Sequence, residues 1–445
     1  MTAAKPFYSG GRWVSSSNSL NVIDPYRQAP IASVCLASNK QVCDAITQTI
    51  SNFEITKRLG TFARSEILRQ IAEGISNRKE EFARTISIES GKPISDARIE
   101  VGRSVFTFQT ASEEVKRLGG ELIPLDLLKG FEKRFGITKR FPLGPVLAIT
   151  PFNFPINLVA HKVAPAIAAG NTLILKPAPQ TPLSALLLAE IISKTDMPPG
   201  AINVIPCEVE DIQQAVLDDR IKMLTFTGSA KVGWRLKEIC RKKKVVLELG
   251  GNAGVIIQND ADLEYAANRC VIGGFTYAGQ SCISVQRIFV HEKVYNSFLD
   301  QVVENVKKLK TGDPLNEETQ VGPLIDQTAL NRTEKWVAEA LDGGARCLIG
   351  GKKDGSIFLP TVLTGTTPEM KVNCEEVFAP LITIEPYLDY DLALKAINRS
   401  SYGLQMGVFT QDVRKIFRAY DECEVGGILV NDIPTFRIDH MPYGG

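Results

Sequence analysis

The spacing of apolar residues changes character along this 445-residue chain. From about Ser38 to Gly119 they recur every three or four positions, as in TFARSEILRQIAEGI and in EEFARTISIES before Gly91-Lys92-Pro93, which predicts a layer of helices. Between Gly119 and Pro142, in GELIPLDLLKGFEKRFGITKRFP, that period gives way to alternation, which predicts extended strands standing out from the body as an interaction arm. Short apolar runs then alternate with helical stretches. VLAIT, TLILKP, NVIP and MLTFT predict strands, and helices are expected over 156–169, from a Thr181-Pro182 start to 194, and over 211–218. A second alternation begins near Gly250, with helices over 263–273, 293–309, 331–341 and 413–420 and strands RIFVH and LITIEPY. Strands and helices at this spacing predict parallel sheets with right-handed crossovers, so the fold class is α/β with two doubly wound domains and an extra arm.

Composition narrows the class. The length exceeds what one hydrophobic core sustains, and 44% hydrophobic with 23% charged residues is the balance of a packed fold. Lys and Arg number 51 against 50 Asp and Glu, a net charge of +1, so no broad field draws nucleic acid or an anionic membrane. The expected partner is a small molecule. The one basic run, Arg241-Lys242-Lys243-Lys244, fits the solvated end of a helix. The N-terminus lacks the apolar stretch of a signal peptide and no later run reaches the length of a membrane span, so a cytoplasmic protein is expected. Nine cysteines without a C-x-x-C pair argue against both a disulfide framework and a zinc site.

Five stretches can carry chemistry. In TFTGSAKVG a strand runs into a turn and a helix, and the N–H groups of a helix start, with Gly228 allowing close approach, suit a phosphate. An ordinary tight turn fits the same residues, because the spacing is neither the dinucleotide fingerprint nor a P-loop. Lys176 ends TLILK at the carboxyl edge of the sheet, where open α/β sheets bind ligands. Glu248 closes the strand in VVLELGG, where partial burial would make it a general base and simple solvent exposure is the plainer alternative. Asn153, between Pro151 and Pro155, offers either a fixed amide for an oxyanion or turn chemistry. Cys282 follows Gly279-Gln280-Ser281, a flexible polar segment that would expose a reactive thiol, whereas an isolated cysteine is otherwise a small core residue. His161, His291 and His440 are far apart in sequence, which leaves open a Cys-His hydrolase or acyltransferase without redox chemistry.

The motifs PFNFP, LKPAPQTP, FTGSAKVG, LELGG, GQSCISVQR, GDPLNEETQVGPLI, EEVFAP and YGL occur in the order found in the aldehyde dehydrogenase superfamily, which the chain resembles along its whole length. The resemblance implies a Rossmann-like dinucleotide-binding domain over 1–118 and 143–249, an oligomerisation arm over 119–142 and a catalytic domain over 250–445, incomplete at its C-terminal end. A homodimer or homotetramer follows from the arm. The resemblance makes Cys282 the nucleophile that forms a thiohemiacetal, with Asn153 and the Cys282 backbone N–H holding the oxyanion. Hydride then passes to nicotinamide, and Glu248 activates the water that releases the acid from the resulting thioester, with Lys162 assisting electrostatically. Relatives that pass the acyl group to coenzyme A typically lack this glutamate, so hydrolysis is implied.

For the cofactor, Gly228, Ser229 and Gly233 match the pyrophosphate turn, Lys176 the adenosine-ribose contact, and Glu376 and Phe378 the nicotinamide side. Pro179 stands where many NAD-preferring relatives carry a glutamate, and the missing carboxylate removes a barrier to a 2′-phosphate, so the expected cofactor is NAD or NADP, with the choice between them open. AGQSCISVQR and FRIDHMPYGG look most like the lactaldehyde dehydrogenase-like group, which acts on short polar aldehydes. The resemblance gives an uncharged substrate shell of Phe154, Ser281 and Ile283, with Arg437 and His440 as contacts to a hydroxyl or anionic tail. The chain stops at Gly444-Gly445, where members of the group continue through a segment that completes the contacts of the arm.

Overall fold

The computed structural model describes residues 3–444; Gly445, the last residue of the expected catalytic domain, lies outside the described residues with Met1 and Thr2. The helical layer opens at Ser38, whose hydroxyl accepts from the Gln41 N–H while the Gln41 side chain caps the Ser38 N–H in return. Helices Asn39–Thr56, Thr61–Asn77, Lys79–Ser90 and Ile94–Glu114 follow, and their apolar faces share one core with the first sheet.

That sheet has seven strands, in the order Lys244–Glu248, Met223–Thr227, Val146–Ile149, Leu173–Lys176, Ile202–Val204, Phe7–Ser9 and Arg12–Val14. The first five are parallel, and their central members are largely buried and mostly apolar because helices cover both faces. The chain enters at Val146–Ile149, builds outward to one side, then crosses back to Met223–Thr227 on the other. The crevice beyond these two strands is therefore the switch point at which open α/β sheets bind ligands.

The second sheet runs Arg346–Ile349, Thr361–Thr364, Leu381–Tyr387, Val285–His291, Ala253–Ile257, Gln405–Phe409 and Gly427–Val430, parallel except for the first. Only Leu249 to Asn252 separate the carboxyl end of Lys244–Glu248 from the amino end of Ala253–Ile257. The carboxyl edge of one sheet thus meets the amino edge of the other.

Several elements differ from the sequence reading. The arm contains two three-residue strands, Leu122–Pro124 and Phe135–Ile137, joined by a long loop, because Pro124 and the charged residues of the loop offer little to pair. The N-terminal pairs Phe7–Ser9 with Arg12–Val14 and Ser19–Asp24 with Ala29–Cys35 were not expected; the first turns on Gly10 and Gly11, both at positive φ. Helix Gln327–Asp342 starts ahead of the expected 331, capped by Asp326. Helix Leu183–Ile192 is capped by the buried Glu89 carboxylate, which accepts from the Leu183 and Ser184 N–H groups, while Thr181 instead donates to the Phe152 carbonyl. Among the described residues no helix is long and apolar enough to cross a membrane.

Candidate active site

A cavity of about 230 Å³ opens where the two sheet edges meet. Pro151 to Phe154 and Thr227 to Ser229 line it from the first sheet, Glu248 to Gly250 from the connection, and Ser281 to Ile283, Glu376 and Phe378 from the second. Arg103, Arg332, Arg437 and Tyr443 complete the wall. Asn153, Glu248 and Cys282 are therefore in one space.

The Cys282 Sγ lies 3.4 Å from Glu248 Oε1, to which its S–H donates, and 3.1 Å from the Tyr443 hydroxyl. The segment before it corrects the expectation of a flexible polar stretch. Tyr277, Ala278 and Gly279 hold φ of 49°, 52° and 68°, and Gln280 is fully buried, its Oε1 accepting from the Ile325 N–H at 2.9 Å. Left-handed backbone at two residues with a Cβ persists only where the surroundings enforce it, so the thiol is held on a rigid turn. Asn153 Nδ2 donates to the Gln280 carbonyl at 3.0 Å, which fixes the amide and leaves its second N–H available. The Cys282 backbone N–H donates to no group among the described residues.

Behind the cavity a buried cation ties the two loops together. Lys92 pairs with Glu100 and lies over the rings of Phe154, at 3.8 Å, and Tyr277, at 4.4 Å. Glu100 also accepts from the Ile156 and Asn157 N–H groups at the start of helix Asn157–Ala168, so the Asn153 and Cys282 loops share an anchor.

Burial raises the Glu248 carboxyl above its ordinary range, opposed by the Lys162 ammonium, and burial brings Lys162 itself down to about 8. Lys162 sits behind Glu248 rather than in the cavity wall. Burial and the Glu248 charge push the Cys282 thiol well up, with the Tyr443 hydrogen bond acting the other way. Burial and that charge favour the thiol over the thiolate, and the adjacent carboxylate is placed to accept its proton. Glu376, bonded by the Gly251 N–H at 2.9 Å, is pushed up to about 7 by burial.

Four of the expected cofactor residues line the cavity: Gly228, Ser229, Glu376 and Phe378. Ser229 stands at the N-cap of helix Ala230–Ile239 with no side-chain cap bond, so the first N–H groups of the helix face the crevice unoccupied by a cap. Gly233 does not line the cavity. It lies inside the first turn of that helix, where a Cβ would come within 2.3 Å of Leu249, so its role is close packing of helix on strand. Lys176, buried, and Pro179, exposed, lie along the same carboxyl edge outside the cavity. The crevice, the uncapped helix start and the glycine packing fit a dinucleotide.

On the substrate side, Phe154, Ser281 and Ile283 line the cavity as expected, but the wall is not uncharged. Arg103 is paired with Asp439 at 2.8 Å, whereas Arg437 stacks over Tyr443 at 3.7 Å and its Nε is buried without a partner. His440 is exposed, edge-on to Phe106, and His161 bonds Asp439 at 2.8 Å; neither lines the cavity, so no histidine serves Cys282 as the Cys-His reading requires. Arg103, Arg332 and Tyr443 escaped the sequence reading. Only Tyr443 carried a signal, as a member of the quoted FRIDHMPYGG.

The chain is similar to known proteins along its whole length. The sequence model described as Aldehyde dehydrogenase family matches residues 13–445. The 3-sulfolactaldehyde dehydrogenase of Priestia megaterium is 42% identical, over 98% of this chain and 92% of its own. The lactaldehyde dehydrogenase of Methanococcus aeolicus is 39% identical, over 98% and 94%. Among solved structures, aldehyde dehydrogenase 21 of Physcomitrella patens, in complex with the reaction product succinate, superposes with a TM-score of 0.97 at 43% identity, over 100% of this chain and 93% of that one.

Proposed function

The chain belongs to the aldehyde dehydrogenase family, and we propose that it oxidises a short, polar aldehyde with an anionic or hydroxylated tail to the carboxylic acid, using Cys282, Asn153 and Glu248. Its reaction class is NAD(P)-dependent oxidation of an aldehyde. The observation that carries the residue assignment is the thiol 3.4 Å from a carboxylate in a cavity at the junction of two sheet edges.

Glu248 takes the thiol proton, and the sulfur attacks the aldehyde carbon: a C–S bond forms and the carbonyl electron pair moves onto oxygen. The free N–H of Asn153 and the Cys282 backbone N–H hold that oxyanion. A nicotinamide dinucleotide held at the switch point would supply the acceptor for the hydride that leaves the former aldehyde carbon, so that the carbon on sulfur becomes a thioester. Glu248, returned to carboxylate by losing its proton to solvent, then takes a proton from water as the water attacks the thioester, and the acid departs from the sulfur. Ser229 and the start of helix Ala230–Ile239 would hold the pyrophosphate, Lys176 the ribose, and Glu376 and Phe378 the nicotinamide end. With Pro179 in place of a carboxylate, no acid at that position stands against a 2′-phosphate, so the cofactor is NAD or NADP.

For the substrate tail, Arg437 supplies a cation without an acid partner. The names of the relatives, with sulfolactaldehyde and bound succinate among them, support an anionic tail. The exposed apolar residues of the ribbon, Leu122, Phe135 and Ile137 among them, support assembly into a homodimer or homotetramer. Nine free cysteines support a cytoplasmic setting. The test is a panel of two- to four-carbon aldehydes ending in methyl, hydroxyl, carboxylate or sulfonate, run with NAD and NADP on the native enzyme and Arg437→Met. Arg437→Met should raise KM about tenfold or more for the anionic members and little for the neutral ones. An equal effect on all would remove the anionic tail from the proposal.

A further inference from the structure

Tyr443 does more in this cavity than close its wall. Its hydroxyl is 3.1 Å from the Cys282 sulfur, and the Arg437 guanidinium covers its ring at 3.7 Å, which fixes the direction of the C–O bond. The other partner of the sulfur, Glu248 Oε1 at 3.4 Å, is a carboxylate and can only accept. Once the S–H bond breaks and its proton forms an O–H bond on Glu248, the electron pair stays on sulfur. The O–H so formed on Glu248 can point back at the sulfur only until that proton is lost, whereas the Tyr443 hydroxyl, 3.1 Å away, can donate whichever state Glu248 is in.

We propose that Tyr443 is a further catalytic residue, donating its hydroxyl hydrogen to the Cys282 sulfur as the thiolate forms. The inference rests on Cys282 being the nucleophile. The charged and titratable groups around the sulfur define the balance in which Tyr443 acts. Glu248, at the end of Lys244–Glu248, and Glu376, ahead of Leu381–Tyr387, disfavour a thiolate. Lys162 of helix Asn157–Ala168 draws on Glu248, and Arg437 draws on both Glu248 and Tyr443. A donated hydrogen bond to an anion is among the stronger interactions available in so enclosed a site.

The experiment measures the rate of Cys282 alkylation by iodoacetamide against pH, read on the Cys282 peptide by mass spectrometry because Cys374 is also exposed. Native protein and Tyr443→Phe are compared, the latter keeping the ring under Arg437. The apparent pKa of alkylation should rise by about one unit in Tyr443→Phe, an approximately tenfold slower reaction at neutral pH, with the two rates converging at high pH. Incorporation of 3-fluorotyrosine, a more acidic phenol of nearly the same shape, should move the profile the other way and covers the case in which Tyr443→Phe folds poorly. Superimposable profiles across the three proteins overturn the role of Tyr443. If aldehyde oxidation instead persists in Cys282→Ala, it is the assignment of the nucleophile that fails.

Discussion

Lys162 and Glu248 are a buried pair in which each charge alters the other's proton affinity. The ammonium holds down a carboxyl that burial would raise further, and the carboxylate holds up an ammonium that burial brings down to about 8. The general base works only while deprotonated, so turnover falls as pH drops through the pKa of Glu248. Lys162→Met removes the cation and should move that acidic limb upward by about one unit. The difference from the native enzyme should be largest below neutrality and fade as pH rises through about 8, where Lys162 itself loses its charge. A kcat-pH profile taken where hydrolysis limits turnover tests this; an unmoved limb would detach Lys162 from the base.

Elements place these residues through two glycines. A Cβ on Gly250 would meet the Glu376 carboxylate at 2.3 Å, and one on Gly251 would meet the Cys282 carbonyl oxygen at 1.9 Å. The connection between the sheets can pass only because neither has a side chain. The second contact is backbone and cannot swing aside, so Gly251→Ala should shift the Cys282 turn and lower kcat by about a hundredfold, with much smaller loss of dinucleotide binding. Single-turnover rates beside cofactor titration would separate the two effects. The sequence reading caught the elements that carry a clear period. Val146–Ile149, Leu173–Lys176 and Met223–Thr227 are short, mostly apolar runs between helix signals, and they lie close to where the sequence predicts them. Phe7–Ser9 and Arg12–Val14 carry no such period. They form because a glycine turn folds them against the edge at Ile202–Val204.

At the scale of the whole molecule, the site exists because the carboxyl edge of one parallel sheet abuts the amino edge of another, and the C-terminal segment folds back across the gap. Asp439 fastens that segment to Arg103 and His161, the first of them 336 residues away in sequence. Cys282, Glu248 and Asn153 were legible because ordered motifs surround each of them. Arg103, Arg332 and Tyr443 were not, because a cationic helix position or a terminal aromatic gains meaning only when distant segments meet. The gathering of Asn153, Glu248 and Cys282 is the basis for proposing an acyl group carried on sulfur and released by water. The most direct test is rapid quenching of Glu248→Gln after mixing with a short aldehyde and the nicotinamide dinucleotide, followed by mass analysis of the Cys282 peptide. Acylation should slow, because Glu248 also takes the thiol proton, but release should slow more, so one acyl group per site should accumulate there, matched by one equivalent of reduced cofactor and followed by turnover slower by about a hundredfold or more. Native steady-state turnover with no acyl group on Cys282 would contradict the account.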